Sequence, residues 1–169
     1  MTAEHPHHRK ARPFNSPLEC GLRVLFVLTA AHGSRADLQR LIAYDYLLVH
    51  SGDVMGGPVS LHPSVPFRGT ELLVKRDVIS AGLDEMFSRE LLQKTFDASG
   101  ILYCATELTA AFIALLKTDY ATSLRERADW VIKKFGEMQD EELSRFMTNN
   151  VGRWGAEFDR LTAVNDLEL

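Results

Sequence analysis

His50, Asp53 and His62 share one stretch punctuated by Gly and Pro, and imidazole with carboxylate is a donor set that suits zinc. No HxxxH or CxxC pair fixes two of these donors on one regular element. The expected role is therefore structural, with the imidazoles hydrogen-bonded to loop backbone and Asp53 to a nearby amide or arginine. Nucleophilic catalysis finds as little support, because Ser51, Ser60, Cys20 and Cys104 have no base at a diagnostic spacing. Gly56-Gly57-Pro58 lacks the Lys-Ser/Thr pair with which a phosphate-binding loop holds phosphate and metal. The expectation is a chain with no catalytic residues, no cofactor and no metal.

Charge offers more. Asp45 falls among Leu41, Ile42, Leu48 and Val49 at helical spacing, and a carboxylate on an apolar face needs a partner. Arg68, Glu71, Lys75 and Arg76 open a later helix. With Asp45 and Asp53 they bracket the Gly-Pro stretch with opposite charges, which charge-assisted bonds can clamp into one shape. Such a stretch is pinned structure, a docking surface for a partner, or both, and the residues leave these readings open. At the N-terminus, His5, His7, His8, Arg9, Lys10 and Arg12 follow no period. They read as a mobile arm over residues 1–13 rather than as a metal- or phosphate-binding tail.

The elements that position these groups can be read in turn. Ser16-Pro17-Leu18-Glu19 has the form of a capping box with proline at the first helical position, so a helix starts there. Leu18, Leu22, Leu25, Phe26, Leu28 and Thr29 make its apolar face, and Gly33 ends it. Ser34 with Asp37 begins a second helix carrying Tyr44 and Asp45. Gly52, Gly56, Gly57, Pro58, Pro63, Pro66 and Gly69 exclude regular structure between Ser51 and Gly69. Val54, Met55, Val59, Leu61, Val65 and Phe67 make that segment too apolar for a solvated linker, so an ordered, packed loop is expected.

The stretch from Thr70 to Leu116 reads as the organising one. Leu72, Ile79, Leu83, Met86 and Phe87 define one helical face, with Lys75, Arg76, Ser80, Asp84 and Glu90 opposite. A hairpin follows, turning at Asp97-Ala98-Ser99-Gly100, with Ile101, Tyr103 and Ala105 at period two. Thr106 then caps a helix, with Thr109 too weak to complete a capping box. This order predicts a mainly α winged helix-turn-helix fold with a small β-hairpin wing. Two more helices are expected: one capped by Asp119 and ended by Gly136, the other capped by Asp140, with Gly152 and Gly155 weakening its second half. The expected organisation is an arm over 1–13, a winged-helix domain with a C-terminal helical extension over 14–160, and an acidic tail over 161–169.

A chain of 169 residues with net charge -4 has room for one ordinary core and no strong field toward nucleic acid or anionic membrane. Two cysteines far apart in sequence fit reduced thiols and a cytoplasmic location. No apolar run is long enough to span a bilayer, and no signal peptide is apparent. On the long helix and wing, Lys75, Arg76, Arg89 and Lys94 are offset by Asp77, Asp84, Glu85, Glu90 and Asp97. Phosphate attraction supplies most non-specific DNA affinity, so a winged helix that binds protein is favoured. A sequence-specific DNA-binding transcriptional regulator is the alternative.

Several strings resemble a known family. They are Pro13-Phe14-Asn15-Ser16-Pro17-Leu18-Glu19 and Tyr44-Asp45-Tyr46-Leu47-Leu48-Val49-His50-Ser51-Gly52-Asp53, then Gly56-Gly57-Pro58-Val59-Ser60-Leu61-His62-Pro63. Arg68-Gly69-Thr70-Glu71-Leu72-Leu73-Val74 and Trp154-Gly155-Ala156-Glu157-Phe158 complete the set. They resemble the middle component, second class, of bacterial three-component ABC ATPase systems. The resemblance implies a non-enzymatic winged-helix subunit encoded beside an ABC ATPase of the SMC and Rad50 type and a third, effector-like component. It also implies action against invading phage or plasmid DNA, with an adaptor role by fold-level analogy. The family offers no catalytic residues to carry over. Tyr44, Asp45, His50, Asp53, His62, Arg68, Glu71, Arg76, Trp154 and Glu157 stand as candidates for partner docking or loop organisation.

Overall fold

Ser16 starts the first helix as its residue type demands: its hydroxyl accepts from the Glu19 amide, and Pro17 occupies the first turn. The Glu19 carboxylate reaches back one residue further than a standard capping box, to the Asn15 amide at 2.8 Å. The computed structural model describes residues 15–63 and 68–165, with side chains described for 15–63, 75–151 and 153. The arm expected over 1–13 and the end of the acidic tail lie outside the described residues.

The order is α1 (Pro17–Ala30), β1 (Ala36–Asp37), α2 (Leu38–Val49), a 3-10 turn (Ser51–Asp53), α3 (Arg68–Ser88), β2 (Leu92–Asp97), β3 (Gly100–Ala105), α4 (Glu107–Leu115), α5 (Asp119–Phe135) and α6 (Asp140–Asn165). The fold is mainly α with a small three-stranded antiparallel sheet ordered β1-β3-β2. Three helices, a short strand between the first two, and a hairpin after the third are consistent with the expected wing. No described helix is long and apolar enough to cross a membrane.

The centre of the molecule is α1, not the stretch from Thr70 to Leu116. α2, α3, α4 and α5 all pack against it, and Cys20, Gly21 and everything from Arg23 to Leu28 is buried. A helix apolar on nearly all sides has to lie inside its neighbours. Leu18, expected on the apolar face, is 47% exposed at the helix start. α1 and α3 approach closely where Gly21 faces Gly82. A Cβ on Gly82 would collide with the Pro17 carbonyl and stand 2.7 Å from the Gly21 nitrogen, so only glycine permits this crossing.

On the expected face of α3, Ile79, Leu83 and Met86 are buried and Phe87 is half-exposed, while the side chain of Leu72 lies outside the described residues; Lys75 is buried instead of facing solvent. Several expected boundaries shift for local reasons. Asp37, not Ser34, caps α2 by accepting from the Arg40 amide. The strands run through Asp97 and restart at Gly100, because the Asp97 carboxylate accepts from the Ser99 amide at 2.7 Å and folds the turn into Ala98-Ser99.

Thr118 rather than Asp119 caps α5. Thr109, expected to be too weak, does accept from the Thr106 amide at 2.7 Å, and its hydroxyl then donates to the Leu91 carbonyl. That second bond joins α4 to the start of the wing. α6 continues through Gly152 and Gly155 to Asn165, past the expected boundary at 160.

Candidate functional site

Arg23 is a guanidinium in the middle of an apolar helix with no access to solvent. Its Nε donates to Asp45 Oδ1 at 2.6 Å and its Nη2 to Asp45 Oδ2 at 3.0 Å, a bidentate pair joining α1 to α2. Nη1 donates to Glu19 at 3.0 Å and Nη2 to Asn15 Oδ1 at 3.1 Å, so the cap of α1 and the buried pair form one network. From α3, Lys75 Nζ stands 3.3 Å from Asp45 Oδ2. Three helices are thus tied through one carboxylate.

Burial alone would raise the Asp45 carboxyl, but the charges of Arg23 and Lys75 outweigh it and hold it well below the usual carboxylate range. Cys20, beside Arg23, moves the other way: burial and the Asp45 charge push its thiol up to about 12. That is the opposite of an activated nucleophile.

The loop after α2 lies on this cluster. The Leu61 and His62 amides both donate to the Val49 carbonyl, and the Gly52 amide donates to Ser60 Oγ at 3.0 Å. Gly57 is packed so closely that a Cβ would collide with the Ser51 carbonyl and meet the Trp130 ring. α5 holds the loop from outside, with Arg127 donating to the Val59 carbonyl at 2.9 Å and Lys134 to that of Met55.

His62 Nε2 lies 2.8 Å from the Tyr120 hydroxyl, with the two rings stacked, and the His50 ring stands edge-on to His62 at 6.3 Å. Burial first and the Arg23 charge second lower the His62 imidazole to about 4, so it is neutral near pH 7. Asp53 accepts from the Tyr46 hydroxyl at 2.8 Å. Between Ser51 and Pro63 the expected packed loop is present; residues 64–67 lie outside the described residues.

A family model for the ABC-three component (ABC-3C) system Middle Component 2 matches residues 13–157. The chain belongs to this family. Comparison with curated proteins and with solved structures returned no match.

The matched region of this Middle Component 2 chain contains the whole cluster and its loop. His50, Asp53 and His62 lie around the end of α2, one turn beyond Asp45. His62 bonds to a side chain on α5, and Asp53 accepts from a tyrosine hydroxyl. Among the described residues no group of three His, Cys, Asp or Glu is placed to hold a metal ion.

Tyr44 sits elsewhere, at the other side of α2, accepting from Arg40 at 2.8 Å and donating to the Phe135 carbonyl. Arg76 is exposed and does not join the clamp. The side chains of Arg68, Glu71, Trp154 and Glu157 lie outside the described residues. Arg23, the principal partner of Asp45, was missed. Its signal was the Glu19–Arg23 spacing of four inside an otherwise apolar helix, an ion pair whose cation faces inward.

Met55 and Val59 are held outward, 91% and 80% exposed, although the backbone beneath them is hydrogen-bonded to the body.

Proposed function

We propose that this Middle Component 2 chain is a non-enzymatic, winged-helix adaptor that links an SMC/Rad50-like ABC ATPase to the third component of a bacterial conflict system. The assembly acts against phage or plasmid DNA in the cytoplasm. The observation that carries the reading is the charge on α3 and the wing. Lys75 is buried on Asp45 and has no access to phosphate. Lys94 lies 2.7 Å from Asp84, and Arg89 lies 3.7 Å from Glu85. Asp77, Glu90 and Asp97 face solvent around them. Arg76 is the one described cation of this face left without a carboxylate, so a duplex approaching it meets one open guanidinium among carboxylates and finds little of the attraction on which non-specific binding rests.

The pinned loop with Met55 and Val59 supplies what an adaptor requires, a rigid apolar contact formed before the partner arrives. Contact with DNA, where it occurs, is weak or made through the ATPase.

Co-expression with the ABC ATPase encoded beside this chain, followed by gel filtration at micromolar concentration, tests the reading. Co-elution is the expected result. Separate elution, together with a duplex-DNA shift that weakens steeply with salt, would replace the adaptor by a DNA-binding regulator.

A further inference from the structure

A second surface shares no residue with the loop. Between α2 and α6, with Arg76 of α3 at its side, lies a groove of about 450 Å³. Its volume is that of a ligand-sized pocket. Ile42 and Ala43 of α2 form one wall, and Leu143, Met147 and Val151 of α6 form the other. The α6 residues recur every four positions, so the apolar wall follows the helix axis for two turns. All five are core residues that each present a sliver to the groove.

Two helical walls with a small residue at Ala43 are shaped for the ridge of a third helix. Met147 is the side chain best able to adapt to one.

The charges around the groove are unequal. Asp37 is used as the cap of α2. Asp140 is paired with Arg40 at 2.7 Å, and Arg40 also donates to Tyr44 and to the Met138 carbonyl. Arg76 is exposed and makes no hydrogen bond or ion pair with any described residue. The one charge left to meet an incoming group is therefore a guanidinium, and its complement is a carboxylate.

We infer that the α2–α6 groove seats an amphipathic helix from another component of the system, with apolar anchors between the two walls and an acidic residue on Arg76. The source of the helix rests on the adaptor reading. An adaptor that joins two components needs two separate surfaces, and this groove with the Met55–Val59 loop provides them.

The test measures the affinity of the purified chain for the ATPase and for the third component separately. The chain is used as wild type, Ala43→Trp, Arg76→Glu, Arg76→Lys and Met55→Asp. Ala43→Trp fills the groove; Arg76→Glu reverses an exposed charge and leaves the core untouched. Both are expected to weaken one component by about tenfold or more while the other binds as wild type. Arg76→Lys retains most of the affinity, and Met55→Asp shows the reverse component preference. Wild-type affinity of both groove variants for both components overturns the groove while leaving the adaptor in place.

If the wild type binds neither component, the adaptor reading falls, and the groove is judged on peptides of about 20 residues tiled across both components. A peptide that binds the wild type and is weakened by Arg76→Glu upholds the groove. The absence of any such peptide overturns it too.

Discussion

Asp45→Ala removes the carboxylate that Arg23 and Lys75 share, in a space closed by α1, α2 and α3. Breaking a buried ion pair by deleting one partner costs about 3–5 kcal/mol, because the remaining charge stays desolvated. A urea titration should show a loss of that size, with Glu19 and Asn15 compensating only in part. His62 is one source of acid sensitivity. Unfolded, an imidazole protonates near 6.5; folded, this one does so only near 4. Between those values the unfolded chain binds the extra proton, so acid favours unfolding.

Stability from this source is complete above about pH 6.5 and falls by at most ~1.4 kcal/mol per pH unit below it. Asp45 adds a loss of the same sign below the ordinary carboxylate range. Urea midpoints for His62→Gln should fall less between pH 6.5 and 4 than those of the wild type. At this scale the need of Asp45 for a cation was legible from its apolar neighbours. The identity of the cation was not, because Arg23 sits 22 residues away and its spacing of four from Glu19 shows a local pair without showing that α1 and α2 meet there. Tyr120 is further still from His62, and no local pattern joins them.

The crossing of α1 and α3 is what lets the network close. Gly82→Ala would push a methyl group against the Pro17 carbonyl and the Gly21 backbone, and the helices would have to separate. Overpacking of this kind costs about 1–3 kcal/mol. Thermal unfolding should register it, whereas Ala81→Gly, one residue away on the exposed side, should cost only the helix propensity difference of about 1 kcal/mol.

Helices, hairpin and caps were legible where residue type acts locally: Ser16 at a cap, Gly136 at the end of α5, and the turn between β2 and β3; the alternation expected in β3 is not observed, since Ile101 is exposed and the adjacent Tyr103 and Cys104 are both buried. Thr109 was misjudged because its strength comes from the Leu91 carbonyl, a tertiary partner. The start of α6 at Asp140 and its course through Gly152 and Gly155 follow the apolar spacing of Leu143, Met147 and Val151. The central place of α1 was written in its all-round apolar character, but a pattern search keyed to one-sided faces passes over it.

For the molecule as a whole, the exposed loop is where recognition can be read without touching the core. Met55→Asp with Val59→Asp replaces two exposed apolar groups, so the unfolding free energy from urea titration should change by less than about 0.5 kcal/mol. Partner affinity should fall by about tenfold or more. Family membership was legible because long unusual strings span most of the chain; which surface meets which component was not, since docking depends on shape and on which charges are already spent.

If α3 and the wing are no grip for a duplex, the natural counterpart of this chain is a polypeptide. Sedimentation velocity at two wavelengths, on a mixture of this chain with the neighbouring ABC ATPase and a labelled duplex at physiological salt, tests it in one experiment. The prediction is that the chain sediments with the ATPase whether or not DNA is present. A chain that moves with the duplex and leaves the ATPase behind would contradict it.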